Sequence, residues 1–290
     1  MIDAQLLISG VIFGLSLGSI YFLLAIGLSL CFGLMRIISL DQLLYYSFGA
    51  YMAYSVGRAT GSFWVGVASG TVVAGLMSFI VERCIFLRIY ARDPTFSMIT
   101  SFGLLIGGIG IIKYFWGVVP RPVEAPTLIQ VDIFGTAVPV YRLIVIGFAI
   151  SVYVGIWLFL NRTIVGKAIR AAIESVEHLE GLGVNVSRLF TITFVIAGAL
   201  SGLGGGLHAP LIMVDPVMGL ETIAFVFMIV IIGGLGSIKG TLISALIVGQ
   251  VVSLGSIIYA PMAQMAPFVM MLLVLLIRPT GLYGSPLYKR

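Results

Sequence analysis

Ser201 and His208 stand seven residues apart in one apolar stretch, a spacing that lets a buried hydroxyl and an imidazole share a helix face. A membrane-embedded hydrolase would use such a pair, but a reaction needs several converging groups, and a stretch holding five glycines offers few. Gly166-Lys167-Ala168 is the nearest fragment to a phosphate-binding GxxxxGK[ST] loop, and it lacks both the leading glycine and the hydroxyl residue. No HExxH or EF-hand loop occurs, and His178 and His208 are the only imidazoles. Cys31 and Cys84 lie in or beside apolar segments without metal-ligand spacing, and read as core packing with no disulfide. No catalytic residue, metal site or resident cofactor is expected in this chain.

Other ionisable groups lie in or beside apolar runs: Asp41, Glu82, Lys113, Asp215 and Glu221 join His208. Burying such a group costs about 2.5–3.5 kcal/mol or more, so each is a functional candidate by default. Most sit near the end of a run, where snorkelling to the interface is the plainer account. Asp41 and Gln42 are different, because they precede Leu43-Leu44-Tyr45-Tyr46 with no loop-like composition around them. Glu221 and Thr222 open a short apolar run beside Asp215-Pro216. Asp41, Gln42, Tyr45, His208, Glu221 and Thr222 are therefore the expected polar lining of a solute pathway.

A different polar feature spans residues 161–188, where Arg162, Lys167, Arg170, Glu174, Glu177, His178, Glu180 and Arg188 gather in a chain only 9% charged. Ala168, Ala171, Ala172, Ser175, Leu179 and Leu182 recur there at helical spacing, which predicts a short amphipathic helix closing near Gly181 or Gly183. Two accounts fit: a solvated helix capping a membrane domain, or a docking helix for a partner.

The elements that must carry these residues are membrane helices. The chain is 60% hydrophobic, with a mean hydropathy of +1.17, and its apolar runs are continuous, many near the roughly 20 residues that a helix needs to cross a bilayer. Residues 6–34 carry no charge and no basic start precedes them, which argues against a cleaved signal peptide. The expected spans are 6–34, 43–57, 62–81, 97–116, 141–160, 189–212, 220–235, 241–258 and 262–277. The fold class is thus an all-α polytopic membrane protein of about eight or nine transmembrane or re-entrant helices, with 43–57 and 220–235 short enough to be re-entrant or broken. One crossing per span puts 12 of the 16 basic residues on one side. The positive-inside rule makes that side cytoplasmic, the N-terminus periplasmic and the C-terminus cytoplasmic. The basic residues are scattered through loops rather than gathered on a face, so a pI near 9.3 does not imply nucleic acid. The proline-bearing segment 117–140 reads as an extended outer loop, either a surface connection or a receiver for a partner. Gly103, Gly107, Gly108 and Gly110, and Gly198 with Gly202 to Gly206, read as helix packing. The runs at Gly204–Pro210 and Gly233–Ser237 also read as helix breaks of the kind that line transport cavities.

Gly166-Lys167-Ala168-Ile169-Arg170-Ala171-Ala172-Ile173-Glu174, followed by Leu182-Gly183-Val184-Asn185, resembles the cytoplasmic "EAA"-type loop of ABC importer permeases. More closely, it is similar to the version in LivH-type permeases of branched-chain amino-acid importers. Gly14 to Tyr21 with Ala25 to Leu28, Glu82-Arg83, Thr193 to Ala199, Gly233 to Ile238 with Gly240, and Arg278 to Leu282 resemble further family segments in order along the chain. The resemblance implies one permease domain over residues 1–290 of a bacterial inner-membrane importer, with 161–188 as its cytoplasmic coupling loop. It implies as partners a homologous second permease in a heterodimer, two cytoplasmic ATPases that use the ATP, and a periplasmic solute-binding protein. Gly166, Lys167, Arg170, Ala171, Ala172, Glu174, Leu179 and Gly183 are then the residues expected to couple to the ATPase. Where the family commonly has an Asn-Phe-Ala-His-Gly run, this chain has Ser39-Leu40-Asp41-Gln42-Leu43. The cargo is therefore either a branched-chain amino acid or another small solute such as urea, an amide or an aromatic or organic acid. The different-class alternative is a passive channel.

Overall fold

A computed structural model describes residues 4–284, apart from 91, 134, 175–178, 180 and 182. Among the described residues the chain forms α1 (Ala4–Met35), α2 (Gln42–Thr60), α3 (Phe63–Cys84), a 3-10 turn (Phe86–Arg88) and α4 (Pro94–Trp116). A β-hairpin follows, β1 (Gln130–Ile133) and β2 (Thr136–Pro139), then α5 (Val140–Arg162) and α6 (Ile164–Glu174). The last helices are α7 (Val186–His208), α8 (Met218–Gly233), α9 (Ile238–Ile258) and α10 (Ala260–Ile277). Six of them, α1, α3, α4, α5, α7 and α9, are long and apolar enough to cross a membrane.

Contacts between distant segments show which ends lie together. At one end Thr136 Oγ1 donates to the Gln5 carbonyl at 3.4 Å, and Arg121 and Val214 exchange backbone hydrogen bonds of 2.9 Å. At the other, Thr191 bonds Glu82, the rings of Phe86 and Phe194 lie 5.1 Å apart, and Leu282 N donates to the Ile232 carbonyl at 2.8 Å. With α1, α3, α7 and α9 running between these ends, α2, α8 and α10 must run between them too. The short segments expected at 43–57 and 220–235 are thus full traversals rather than re-entrant loops, and among the described residues nine helices run between the two ends. Lys and Arg of the α1–α2, α3–α4, α5–α7 and α8–α9 connections share the second end, termed here the basic end; the first is the N-terminal end.

α2 occupies the interior: Gln42 to Tyr51 are all buried. It can be central because glycine brings its neighbours to backbone contact. A Cβ on Gly70 of α3 would lie 2.6 Å from the Gly49 carbonyl of α2, and Cβ atoms on Gly202 and Gly205 of α7 would overlap Ala74 and the Tyr46 carbonyl. Such close approach is what small residues give membrane helices, where apolar side chains gain little by leaving lipid.

Four expectations are corrected. α7 runs unbroken through Gly204–Gly206 to His208, because those glycines are filled by neighbouring helices rather than by a cavity. The Gly233–Ser237 run does break the chain, with Gly234 and Gly236 at φ +96° and +81°, and it packs against Gly281 and Gly284 of the C-terminal segment. Cys84 is exposed rather than in the core; Cys31 is buried. On α4 only Gly108 is packed, against Leu44; Gly103, Gly107 and Gly110 face open space. Within 117–140 an extended loop was expected throughout, but only 117–129 is irregular; Gln130–Ile133 and Thr136–Pro139 pair as a hairpin, Gln130 opposite Pro139. α4 starts at Pro94 with Asp93 as cap, its Oδ1 accepting from Thr95 N at 2.8 Å, which holds that carboxyl below its ordinary range.

Candidate functional site: a polar seam on α2 and the basic face of α6

Asp41 stands immediately before α2, makes no side-chain capping bond to it and is fully buried. Its carboxylate accepts from Ser39 Oγ through a short hydrogen bond and from Tyr45 Oη at 2.7 Å. Gln42 continues the network: its Nε2 donates to Ser39 Oγ at 3.4 Å and approaches Cys31 Sγ at 3.7 Å, and its Oε1 accepts from Ser201 Oγ of α7 at 3.1 Å. Among the described residues no cation pairs with Asp41. The hydroxyl donors and the start of α2, whose dipole favours negative charge, compensate its burial instead.

One turn further, Tyr46 Oη lies 2.6 Å from His208 Nδ1. Thr222 is buried beside the Tyr46 hydroxyl and donates to the Met218 carbonyl at 2.7 Å. Of the six residues expected to line a pathway, Asp41, Gln42 and Tyr45 therefore share one cluster, and His208 and Thr222 flank Tyr46. Glu221 is exposed in the first turn of α8, and among the described residues its side chain makes no hydrogen bond to either group. Ser201 and His208 do not face each other. Seven residues separate them by about 10 Å along the helix, and each bonds a different residue of α2.

The sequence reading left Glu82 out of the lining, yet it is fully buried near the basic end. It accepts from Thr191 Oγ1 at 3.0 Å and Tyr90 Oη at 3.2 Å, while Arg83 Nε stands 3.9 Å away. Its place near the end of an apolar run points to the interface, where snorkelling is the plainer account. The partners that let it stay buried, Thr191 and Tyr90, stand 109 and 8 positions away and leave no sign in the sequence.

The second feature is α6. Thr163 Oγ1 accepts from Gly166 N at 2.9 Å and caps it, and the elbow with α5 is so tight that a Cβ on Gly166 would overlap the Phe159 carbonyl. Gly166, Ile169 and Ala172 turn inward, as does Leu179 beyond the helix, while Lys167, Arg170 and Ala171 are exposed. The expected apolar stripe is therefore rotated: Ile169 takes the place given to Ala171, because the longer side chain reaches the core. Arg170 Nη1 makes a short hydrogen bond to Asn161 Oδ1. Ser175, Glu177, His178, Glu180 and Leu182 lie outside the described residues. Gly183 has φ +77°, and Val184 N bonds the Leu179 carbonyl at 3.2 Å, the six-to-one closure of a helix ending with glycine at C′.

Nine traversals, a buried polar seam and an amphipathic helix held at one end make up the membrane body of a transport protein. The chain matches the family described as the permease component of branched-chain amino acid transport systems over residues 10–277, and it belongs to that family. It is 26% identical over 293 residues to the high-affinity branched-chain amino acid transport system permease protein LivH of Escherichia coli K12, covering 94% of both chains. To the corresponding permease protein BraD of Pseudomonas aeruginosa it is 24% identical over 291 residues, again 94% of both. Among solved structures, a chain of PsaBC from Streptococcus pneumoniae in complex with Fab shares the fold, with a TM-score of 0.53 at 16% identity over 93% of this chain and 92% of that one. This chain is a multi-pass membrane permease subunit.

Proposed function

We propose that this permease forms one half of the solute pathway of an ATP-driven importer for branched-chain amino acids or a closely related small solute. The other half is a homologous permease; two ATPases dock at the basic end, and a periplasmic binding protein delivers solute to the N-terminal end. That orientation follows the accumulation of short-loop positive charge in the cytoplasm. This chain binds no cofactor and performs no covalent chemistry. ATP is consumed by the partners, whose closure moves α6 and, through the α5 elbow and the Leu179–Val184 helix end, the bundle behind it.

The observation that carries this reading is the two-sided build of α6, with Ile169 and Ala172 in the core and Lys167, Arg170 and Ala171 outside. A helix that only capped the bundle would not need a capped start, a glycine elbow and a glycine exit to fix its angle. Charge reversal at Lys167→Glu with Arg170→Glu is expected to lower ATPase co-purification and L-leucine uptake at least tenfold, with the permease itself at wild-type level. Undiminished co-purification and uptake would remove the docking role. Uptake that persists in ATP-depleted vesicles holding this chain alone would favour a passive channel.

A further inference from the structure

At the N-terminal end, a cavity of about 870 Å³ lies between the α2–α3 turn and residues 120–126. We propose that it is a recognition subsite for a free α-amino acid, in which Arg58 and Arg121 hold the carboxylate, Glu124 holds the ammonium and Tyr54, Phe63 and Trp64 bound the side chain. The inference deepens the importer reading and rests on it.

The lining carries both signs of charge, and among the described residues none of its charged groups forms an ion pair. Arg58 is exposed and spends one donor on Tyr54 Oη at 3.1 Å, leaving most of its fork open. Arg121 is more constrained. Its backbone is fixed to Val214, its Nη2 donates to the Trp116 carbonyl at 3.2 Å, and its Nε is buried without a hydrogen-bond partner. That nitrogen has no exposed surface, so a ligand meets Arg121 only through the Nη donors not spent on Trp116. A carboxylate fits, because the planar fork matches its two oxygens. Glu124 is exposed on the same wall and offers the complementary charge for an ammonium. Phe63 and Trp64, with ring centroids 5.2 Å apart, supply an apolar face. Pro120, Pro122 and Pro126 stiffen the opposite wall, so less order is lost on binding. A volume within the roughly 300–1,000 Å³ of small-molecule sites accommodates an amino acid with water to spare.

The test uses the complete complex, this chain with its second permease and the ATPases, in nanodiscs without binding protein. Binding of radiolabelled L-leucine is competed with L-leucinamide, which lacks the carboxylate, and with 4-methyl-2-oxopentanoate, which lacks the ammonium. Arg58→Gln is expected to weaken L-leucine and 4-methyl-2-oxopentanoate at least tenfold and to leave L-leucinamide unchanged. Glu124→Gln should weaken L-leucine and L-leucinamide but not the oxo acid. Arg121→Lys, which keeps the charge but not the fork, should weaken both carboxylates less than Arg58→Gln does. Absent binding of L-leucine to the wild type, or variants that shift all three ligands equally or none, overturns the subsite. So does an effect confined to docking of the binding protein. ATP-driven L-leucine uptake by the wild type, measured in parallel with binding protein present, separates the two levels: intact uptake with unresponsive binding overturns the subsite alone, whereas no uptake overturns the importer reading beneath it.

Discussion

α7 and α4 each carry a run of glycines at helical spacing, and the two runs have opposite surroundings. On α7 a side chain at Gly198, Gly202 or Gly205 would meet Ser78, Ala74 or the Tyr46 carbonyl; on α4 one at Gly103, Gly107 or Gly110 would meet nothing within 4 Å. The first run sets how closely α2, α3 and α7 approach, and thereby lets Ser201 reach Gln42 and His208 reach Tyr46. The second run sets nothing inside this chain. Glycine in a membrane helix thus signals permission for close approach, and only the fold determines whether that permission is used.

The largest effect is expected where a carbonyl stands in the way. Gly205→Leu must displace the Tyr46 carbonyl, which cannot move without shifting α2 and its whole polar seam. Ordinary overpacking costs about 1–3 kcal/mol, and here the obstacle is helix backbone, so the cost should exceed that range. Recovery of monodisperse protein in detergent should collapse. Recovery at wild-type level, with an unchanged melting temperature, would break the contrast at its strong end.

A smaller effect tests what the close approach is for. Tyr45→Phe deletes one of the two side-chain donors to Asp41 and leaves the packing almost intact. A buried group deprived of a partner loses about 1–3 kcal/mol, more when charged, so the melting temperature of the purified chain should fall by several degrees. An unchanged melting temperature would mean that the seam contributes nothing to holding α2 in place.

How far the sequence foretold this arrangement follows from what each feature depends on. Spans were legible because crossing a bilayer demands an unbroken apolar run: residues 141–160 were expected and α5 is Val140–Arg162. The end of the amphipathic segment was legible because glycine at C′ leaves a local mark, and Gly183 has the left-handed φ expected there. Pairings between distant residues leave no such mark. Thr191 with Glu82, Ser201 with Gln42 and Arg121 with Val214 join positions far apart in the chain, and no periodicity encodes them. The rotation of α6 that buries Ile169 instead of Ala171 was missed for a related reason: the two residues, about 200° apart at 3.6 residues per turn, flank Ala172 on opposite sides, and the pattern does not say which flank the core covers. Arg58, Arg121 and Glu124 looked like unrelated loop charges until the fold placed them around one cavity.

The smallest effect is expected on α4, and its sign is informative. Gly107→Leu adds a side chain facing open space, so no packing is disturbed. The same change replaces a residue that weakens a helix interior by about 1 kcal/mol with one of the better helix formers. In the purified single chain the melting temperature should therefore stay level or rise slightly. A fall comparable to that of Gly205→Leu would show that the α4 glycine face is covered even in the isolated chain, and the contrast with α7 would fail. A neutral outcome in the single chain, joined to a loss of pairing with the second permease proposed above, would sharpen it instead, because the close approach that this face permits would then be used between chains rather than within one.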